Sequence, residues 1–259
     1  MGFSRYRGFV AFGVRAALLA AAMTGAVAEA GVVMYGTRIV YPADQSQVTV
    51  RLANQDKSPN LVQVWVDTGN GEPPRDSKAA PFVVMPPLFR IGAEGQQSVR
   101  IMFGGAAALP TDRESLFWFN FLQIPPEGKS DQQEGTAQIA ISFLNQVKLL
   151  YRPPTIDGDV RELARRLAFS VARSGKTWHL TARNPTGFYA TFVDKAGVKS
   201  GTDRLPVDFH GEVTLAPFSS LSWKLAGESA QLVSPVVEFS LIDDAGNPRP
   251  AQGAAVTAP

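Results

Sequence analysis

Along residues 32–152 the chain repeats one pattern: short runs rich in Val, Ile, Phe, Trp and Tyr, interrupted by Gly, Pro, Asn and Asp. Such runs read as β-strands, because branched and aromatic side chains fit a pleated, half-buried surface. The pattern predicts strands at 32–42, 47–53, 61–68, 82–85, 98–103, 116–124 and 137–151. Within the third, Val62, Val64 and Val66 alternate with Gln63, Trp65 and Asp67, the period of a strand with one face in a core. Seven strands in about 120 residues fit an immunoglobulin-like sandwich.

The most informative run is QIAISFLNQVKLLYR, residues 138–152. Ile139, Ile141 and Phe143 lie on one side of the predicted strand, and Gln138, Ala140 and Ser142 on the other. Lys148 then stands among apolar neighbours, followed by Tyr151, Arg152 and two prolines. A domain-ending strand with a row of large apolar side chains and a lysine at its far end could be lent to another protein. On pattern alone, alternation of this kind more often marks a strand's own core face. Both readings stand at this point.

Residues 153–158, PPTIDG, carry no apolar period and read as a boundary. A short helical stretch is expected at 159–167. The strand pattern then returns at 168–172, 178–182, 190–193, 212–215, 220–225 and 236–242, a second and smaller β domain. The last ten residues are rich in Ala, Gly and Pro and are expected to be disordered. The organisation expected is all-β: an N-terminal domain at 31–153, a linker at 154–158, a C-terminal domain at 159–249 and a tail at 250–259.

Residues 1–30 read as an export signal. Arg5, Arg7 and Arg15 precede or open a short apolar run, and Ala26-Val27-Ala28 or Ala28-Glu29-Ala30 offers a small-residue cleavage site. The run is short for a membrane span, and no later segment reaches ~20 continuous apolar residues. The mature chain is therefore expected to be exported and not embedded in a membrane. Cleavage after Ala28 removes three of the 25 basic residues, leaving 22 against 23 acidic ones. The formal net charge of +2 thus falls to about −1, and the electrostatic footprint of a nucleic-acid binder disappears. Cysteine is absent, so neither disulfides nor thiol chemistry is available.

Catalytic and cofactor chemistry finds little support. His179 and His210 are the only histidines, and His179 alternates with Trp178 and Leu180 in a predicted strand. There is no serine nucleophile elbow, HExxH, Walker loop or calcium-loop spacing. Asp157/Asp159 and Asp243-Asp244 sit in turn-like contexts that suit neither glycosidase geometry. No enzyme activity, metal or cofactor is expected.

Several segments, taken in order, resemble the periplasmic pilus-assembly chaperones of the chaperone–usher (PapD-like) family. GTRIVYP (36–42) resembles that family's first strand and PPLFRI (86–91) its fourth-strand region. DRESLFWFNFLQIPP (112–126) resembles its signature, QVKLLYRP (146–153) the end of its last N-domain strand, and NPTGFYATF (184–192) a second-domain segment. The resemblance implies two immunoglobulin-like domains in a boomerang arrangement and a periplasmic location. It also implies that the protein caps pilus (fimbrial) subunits by donor-strand complementation and delivers them to an outer-membrane usher. This is a known form of strand addition at a sheet edge. On that reading Ile139, Ile141 and Phe143 form the donor strand, and Arg38 and Lys148 anchor the subunit's C-terminal carboxylate. Glu114, Arg152 and Asp244 form an inter-domain ion cluster, with Asp243 competing for the third place.

Lys148 has the opposite parity to Ile139, Ile141 and Phe143, so a bulge or twist is expected between Phe143 and Lys148 if all four face one partner. One departure is the segment 127–136, EGKSDQQEGT, longer than in the family's short-loop branch yet without the cysteine pair of the long-loop branch. The exposed donor row also allows a self-capping dimer when no subunit is bound. The alternative function is a surface pilus subunit or adhesin-like structural protein. A subunit would be one incomplete sandwich, whereas this chain offers a full strand set and a second domain.

Overall fold

The computed structural model describes residues 31–71, 80–105, 108–124, 141–211, 213–227 and 231–257. The expected signal at 1–30 and Ile139 lie outside the described residues. The first domain contains β1 (Val32–Met34), β2 (Arg38–Pro42), β3 (Val48–Asn54), β4 (Asn60–Asp67), β5 (Phe82–Met85), β6 (Leu88–Ile91), β7 (Gln96–Phe103), β8 (Ser115–Ile124) and β9 (Phe143–Arg152). They form two sheets, β1-β3-β7-β5 and β2-β9-β8-β4-β6. Leu52, Val62, Val99, Ile101, Phe119 and Leu149 fill the space between them and are almost wholly buried. These positions follow the period-two pattern, so burial of alternate apolar side chains selects the sandwich.

The run predicted as one strand at 32–42 divides at Tyr35-Gly36-Thr37. Its first part pairs antiparallel with β3 in one sheet; its second pairs parallel with β9 in the other. The strand predicted at 137–151 begins only at Phe143 and ends at Arg152. Its pairing with β8 runs without interruption from Phe143↔Gln123 to Tyr151↔Ser115. The bulge expected between Phe143 and Lys148 is therefore absent, and strict alternation places these two side chains on opposite faces.

The linker leads through a turn of 3₁₀ helix, Val160–Glu162, into α1 (Leu163–Arg166). Asp159 opens it, its carboxylate accepting from the Arg161 backbone N–H at 2.8 Å. The second domain holds β10 (Ala168–Ser174), β11 (Thr177–Arg183), β12 (Ala190–Thr191), β13 (Gly197–Ser200), β14 (Asp203–Asp208), β15 (Thr214–Leu215), β16 (Ser220–Leu225), β17 (Val236–Ile242) and β18 (Pro248–Thr257). Its strands pair in a closed ring, β10-β11-β16-β14-β13-β17-β18, with β12 and β15 as a separate pair. Val171, Leu180, Ala190, Val198, Leu215 and Val237 form the core.

The segment from Pro250 onward was expected to be a disordered tail, but through Thr257 it belongs to β18, and residues 258–259 lie outside the described residues. β18 pairs along the whole of β17 and, at Ala255–Thr257, parallel with β10. Its small residues permit close packing: a Cβ on Gly253 would lie 2.8 Å from the Phe169 ring. At Gly253 the missing side chain reflects lack of space, not lack of structure.

Candidate functional site

β9 has two unlike halves. From Lys148 to Arg152 it lies between β8 and β2, with Arg38 paired to Lys148 and Pro42 to Arg152. From Phe143 to Val147 it has β8 on one side and, among the described residues, no strand on the other. The departure of β1 to the opposite sheet leaves this half open. An open strand half presents unpaired backbone donors and acceptors, a template for another strand.

The side chains on that half complete the template. Phe143, Asn145, Val147 and Leu149 share the core-facing side of the strand. Burial grades along the row, from Phe143 at 57% exposed to Leu149 at 0%. Ile141 precedes the strand and is 59% exposed. Large apolar side chains thus leave the sandwich's own interior and run out beyond its cover.

At the inner end of the open half stand two cations on the opposite face. Their register, Arg38↔Lys148, puts them side by side on neighbouring strands. Arg38 Nη1 donates to the Ile242 carbonyl at 3.0 Å, and its Nε is buried without a hydrogen-bond partner. Burial lowers its pKa, opposed by the charges of Asp244, Glu114 and Asp243. The guanidinium stays charged even so. Lys148 Nζ donates to the Thr214 hydroxyl and sits 5.7 Å from the centroid of the Trp118 ring. The apolar row and the cations need no common face. A strand added at the open edge ends in the sheet plane beside Arg38 and Lys148, where β2 takes over as neighbour.

Beyond the cations, Arg152 bridges the domains. Its Nε donates to Glu114 Oε1 at 2.6 Å, while Nη1 and Nη2 reach the two Asp244 oxygens at 2.6 and 2.8 Å. The second Glu114 oxygen accepts from the Tyr189 backbone N–H at 2.7 Å. Burial pushes the Glu114 carboxyl up, against the lowering effect of Arg152 and the Tyr189 N–H. Burial also opposes the charge on Arg152, but the hydrogen bonds and charges of Asp244 and Glu114 outweigh it and raise the guanidinium above its ordinary range. Asp243 takes no part: it accepts from Asn247 N at 2.8 Å and Arg249 Nε at 2.7 Å, closing its own turn.

The structure therefore brings together Arg38 with Lys148, and Glu114 with Arg152 and Asp244; Ile141 and Phe143 lie farther out on the open half. Sequence reasoning missed Trp118 and Thr214. Trp118 carried no local signal, because its place opposite Lys148 is set by the β8–β9 register of the folded sheet. Thr214 carried none, since only the docking of the second domain brings it to Lys148.

A two-domain β protein with an open, apolar-lined strand half ending at paired cations falls, among the described residues, in the class of all-β proteins that offer a free strand edge. Comparison with known proteins narrows the class. Residues 31–157 match the family described as pili and flagellar-assembly chaperone, PapD N-terminal domain. Residues 162–253 match pili assembly chaperone PapD, C-terminal domain. The chain is 35% identical over 247 residues to chaperone protein FimB/FhaD of Bordetella pertussis, covering 92% of this chain and 95% of that one. It is 39% identical over 180 residues to chaperone protein HifB of Haemophilus influenzae, covering 68% and 72%. The crystal structure of the YadV chaperone superposes with a TM-score of 0.72 at 33% identity, covering 86% and 98%. The SafB chaperone in complex with the SafA pilin of Salmonella enterica gives 0.68 at 29% identity, covering 86% and 96%. This chain belongs to the PapD-like family of pilus-assembly chaperones.

Proposed function

We propose that this protein is a non-enzymatic periplasmic chaperone that captures pilus subunits by lending them β9. The observation that carries the reading is the open half of β9, with exposed Ile141 and Phe143 and with Arg38 and Lys148 at its inner end. The partner is a subunit whose sandwich lacks a strand, so that its groove takes Ile139, Ile141 and Phe143. Burying each such side chain contributes about 1.5–3 kcal/mol. Backbone hydrogen bonds along the open edge add affinity that tolerates sequence variation in the client.

The subunit's terminal carboxylate is held by Arg38 and Lys148. In a partly desolvated cleft an anion needs charge-assisted donors, and a fork beside a compact ammonium supplies them. Fixing the chain end sets the register of the added strand. Glu114, Arg152 and Asp244 set the relation between the domains. Delivery to an outer-membrane usher follows from the family, and release needs no nucleotide: a better-fitting subunit strand replaces the chaperone's. The same open edge also lets two unloaded copies cap one another when they meet at high concentration.

The test is capture from periplasm of a tagged wild type beside Lys148→Ala and Ile141→Asp, with bound proteins identified by mass. Wild type retains a small stoichiometric subunit. Both variants fold with stability close to wild type, as expected for positions outside the core, and lose the subunit. Ile141→Asp loses it because an unpaired charge would enter an apolar groove. Full retention by Lys148→Ala overturns the anchoring role.

A further inference from the structure

In the unloaded protein each cation of the capture site is engaged by the second domain: Arg38 by the Ile242 carbonyl at the end of β17, Lys148 by the Thr214 hydroxyl on β15. Neither acceptor is near in sequence, with separations of 204 and 66 residues. The approach is close: a Cβ on Gly246, in the turn after β17, would lie 2.5 Å from the Thr37 hydroxyl oxygen. An ammonium carries three donors on a flexible four-carbon stem, so it has no fixed position of its own. The Trp118 ring beneath it confines it on one side, and Thr214 ties it from across the domain interface.

We infer that Thr214 is a positioning residue for subunit capture: its hydroxyl holds the Lys148 ammonium where the arriving carboxylate is bound, making the second domain part of the recognition site. The inference rests on the reading of Lys148 as a carboxylate anchor. A preplaced ammonium loses less rotamer freedom on binding, so its attraction appears as affinity and not as ordering cost. Arg38 is tied by a backbone carbonyl, which substitution cannot remove. Thr214 is the side chain through which the second domain's contribution can be tested.

The test uses the full chain, Thr214→Val, Thr214→Ser, Lys148→Ala and the Thr214→Val/Lys148→Ala double variant. The probe is a synthetic peptide of the C-terminal strand of the captured subunit, as free acid and as C-terminal amide. Valine keeps the shape of threonine and removes the hydroxyl; serine keeps the hydroxyl. The expected result is that Thr214→Val binds the free acid roughly tenfold more weakly, the scale of one hydrogen bond to a charged group. It binds the amide as wild type does, Thr214→Ser restores the free-acid affinity, and Thr214→Val adds nothing in the Lys148→Ala background. Unchanged free-acid affinity in Thr214→Val overturns the inference while Lys148→Ala still loses binding. An equal loss for acid and amide also overturns it, since that marks general disruption of the interface. If Lys148→Ala binds as wild type does, or wild type binds neither peptide, the anchoring reading falls and this inference with it.

Discussion

Glu114 shows how burial and charge compete at a single side chain. It is almost wholly buried, with Arg152 on one oxygen and the Tyr189 N–H on the other, yet its pKa is raised. A buried ion pair need not stabilise a fold, because desolvation can exceed the Coulomb attraction. Because the folded-state value lies above the unfolded one, the folded form holds the proton more tightly. The contribution of Glu114 to stability is therefore fully present below its ordinary value of 4.5 and is lost as pH rises through the raised one. Denaturant unfolding of wild type and Glu114→Gln across this range checks the sign. Wild type is expected to lose stability relative to the variant as pH rises; a gap that moves the other way would show that attraction to Arg152 dominates. The pairing of Glu114 with Arg152 was legible only through the family resemblance, since no local pattern joins residues 38 positions apart.

Among the elements, β4 and β8 were readable because they are long runs of branched and aromatic residues that place Val62, Val64, Phe119 and Phe121 in the core. Others were hidden for identifiable reasons. β14 contains Pro206, which cannot donate to a ladder and ordinarily argues against a strand. β18 has no large apolar residue except the exposed Val256, and tertiary pairing with β17 and β10 imposes its conformation. The break in the 32–42 run is invisible to periodicity, because β1 is only three apolar residues long and β2 alternates after the chain changes sheets. The β18 account yields a prediction. Gly253→Val should destabilise the second domain by about 1–3 kcal/mol, the usual cost of overpacking, as read by thermal or denaturant unfolding. Wild-type stability for this variant would show that Phe169 can move aside and that small residues here are not required.

At the scale of the molecule, one topological choice generates the proposed function. The first strand begins in one sheet and ends in the other, so β2 covers only Lys148–Arg152 of β9. The uncovered half keeps its apolar row, and the boundary between the halves falls at the Arg38–Lys148 pair. The second domain then closes over that boundary through Thr214, Ile242 and Asp244. The two-domain plan could be read from strand count and the 153–158 break. The open half could not, because pairing partners are a property of the folded sheet.

Lending β9 to a client is the central claim, and hydrogen exchange at the backbone amides of Phe143–Val147 tests it most directly. In the unloaded monomer the amides that face the open edge should exchange rapidly, while those bonded to β8 are protected. In the complex with the subunit the edge-facing amides should become protected, together with a fall in exposure of Ile141 and Phe143. A stable complex in which these amides still exchange as in the free protein would contradict donor-strand capture and place the client on another surface.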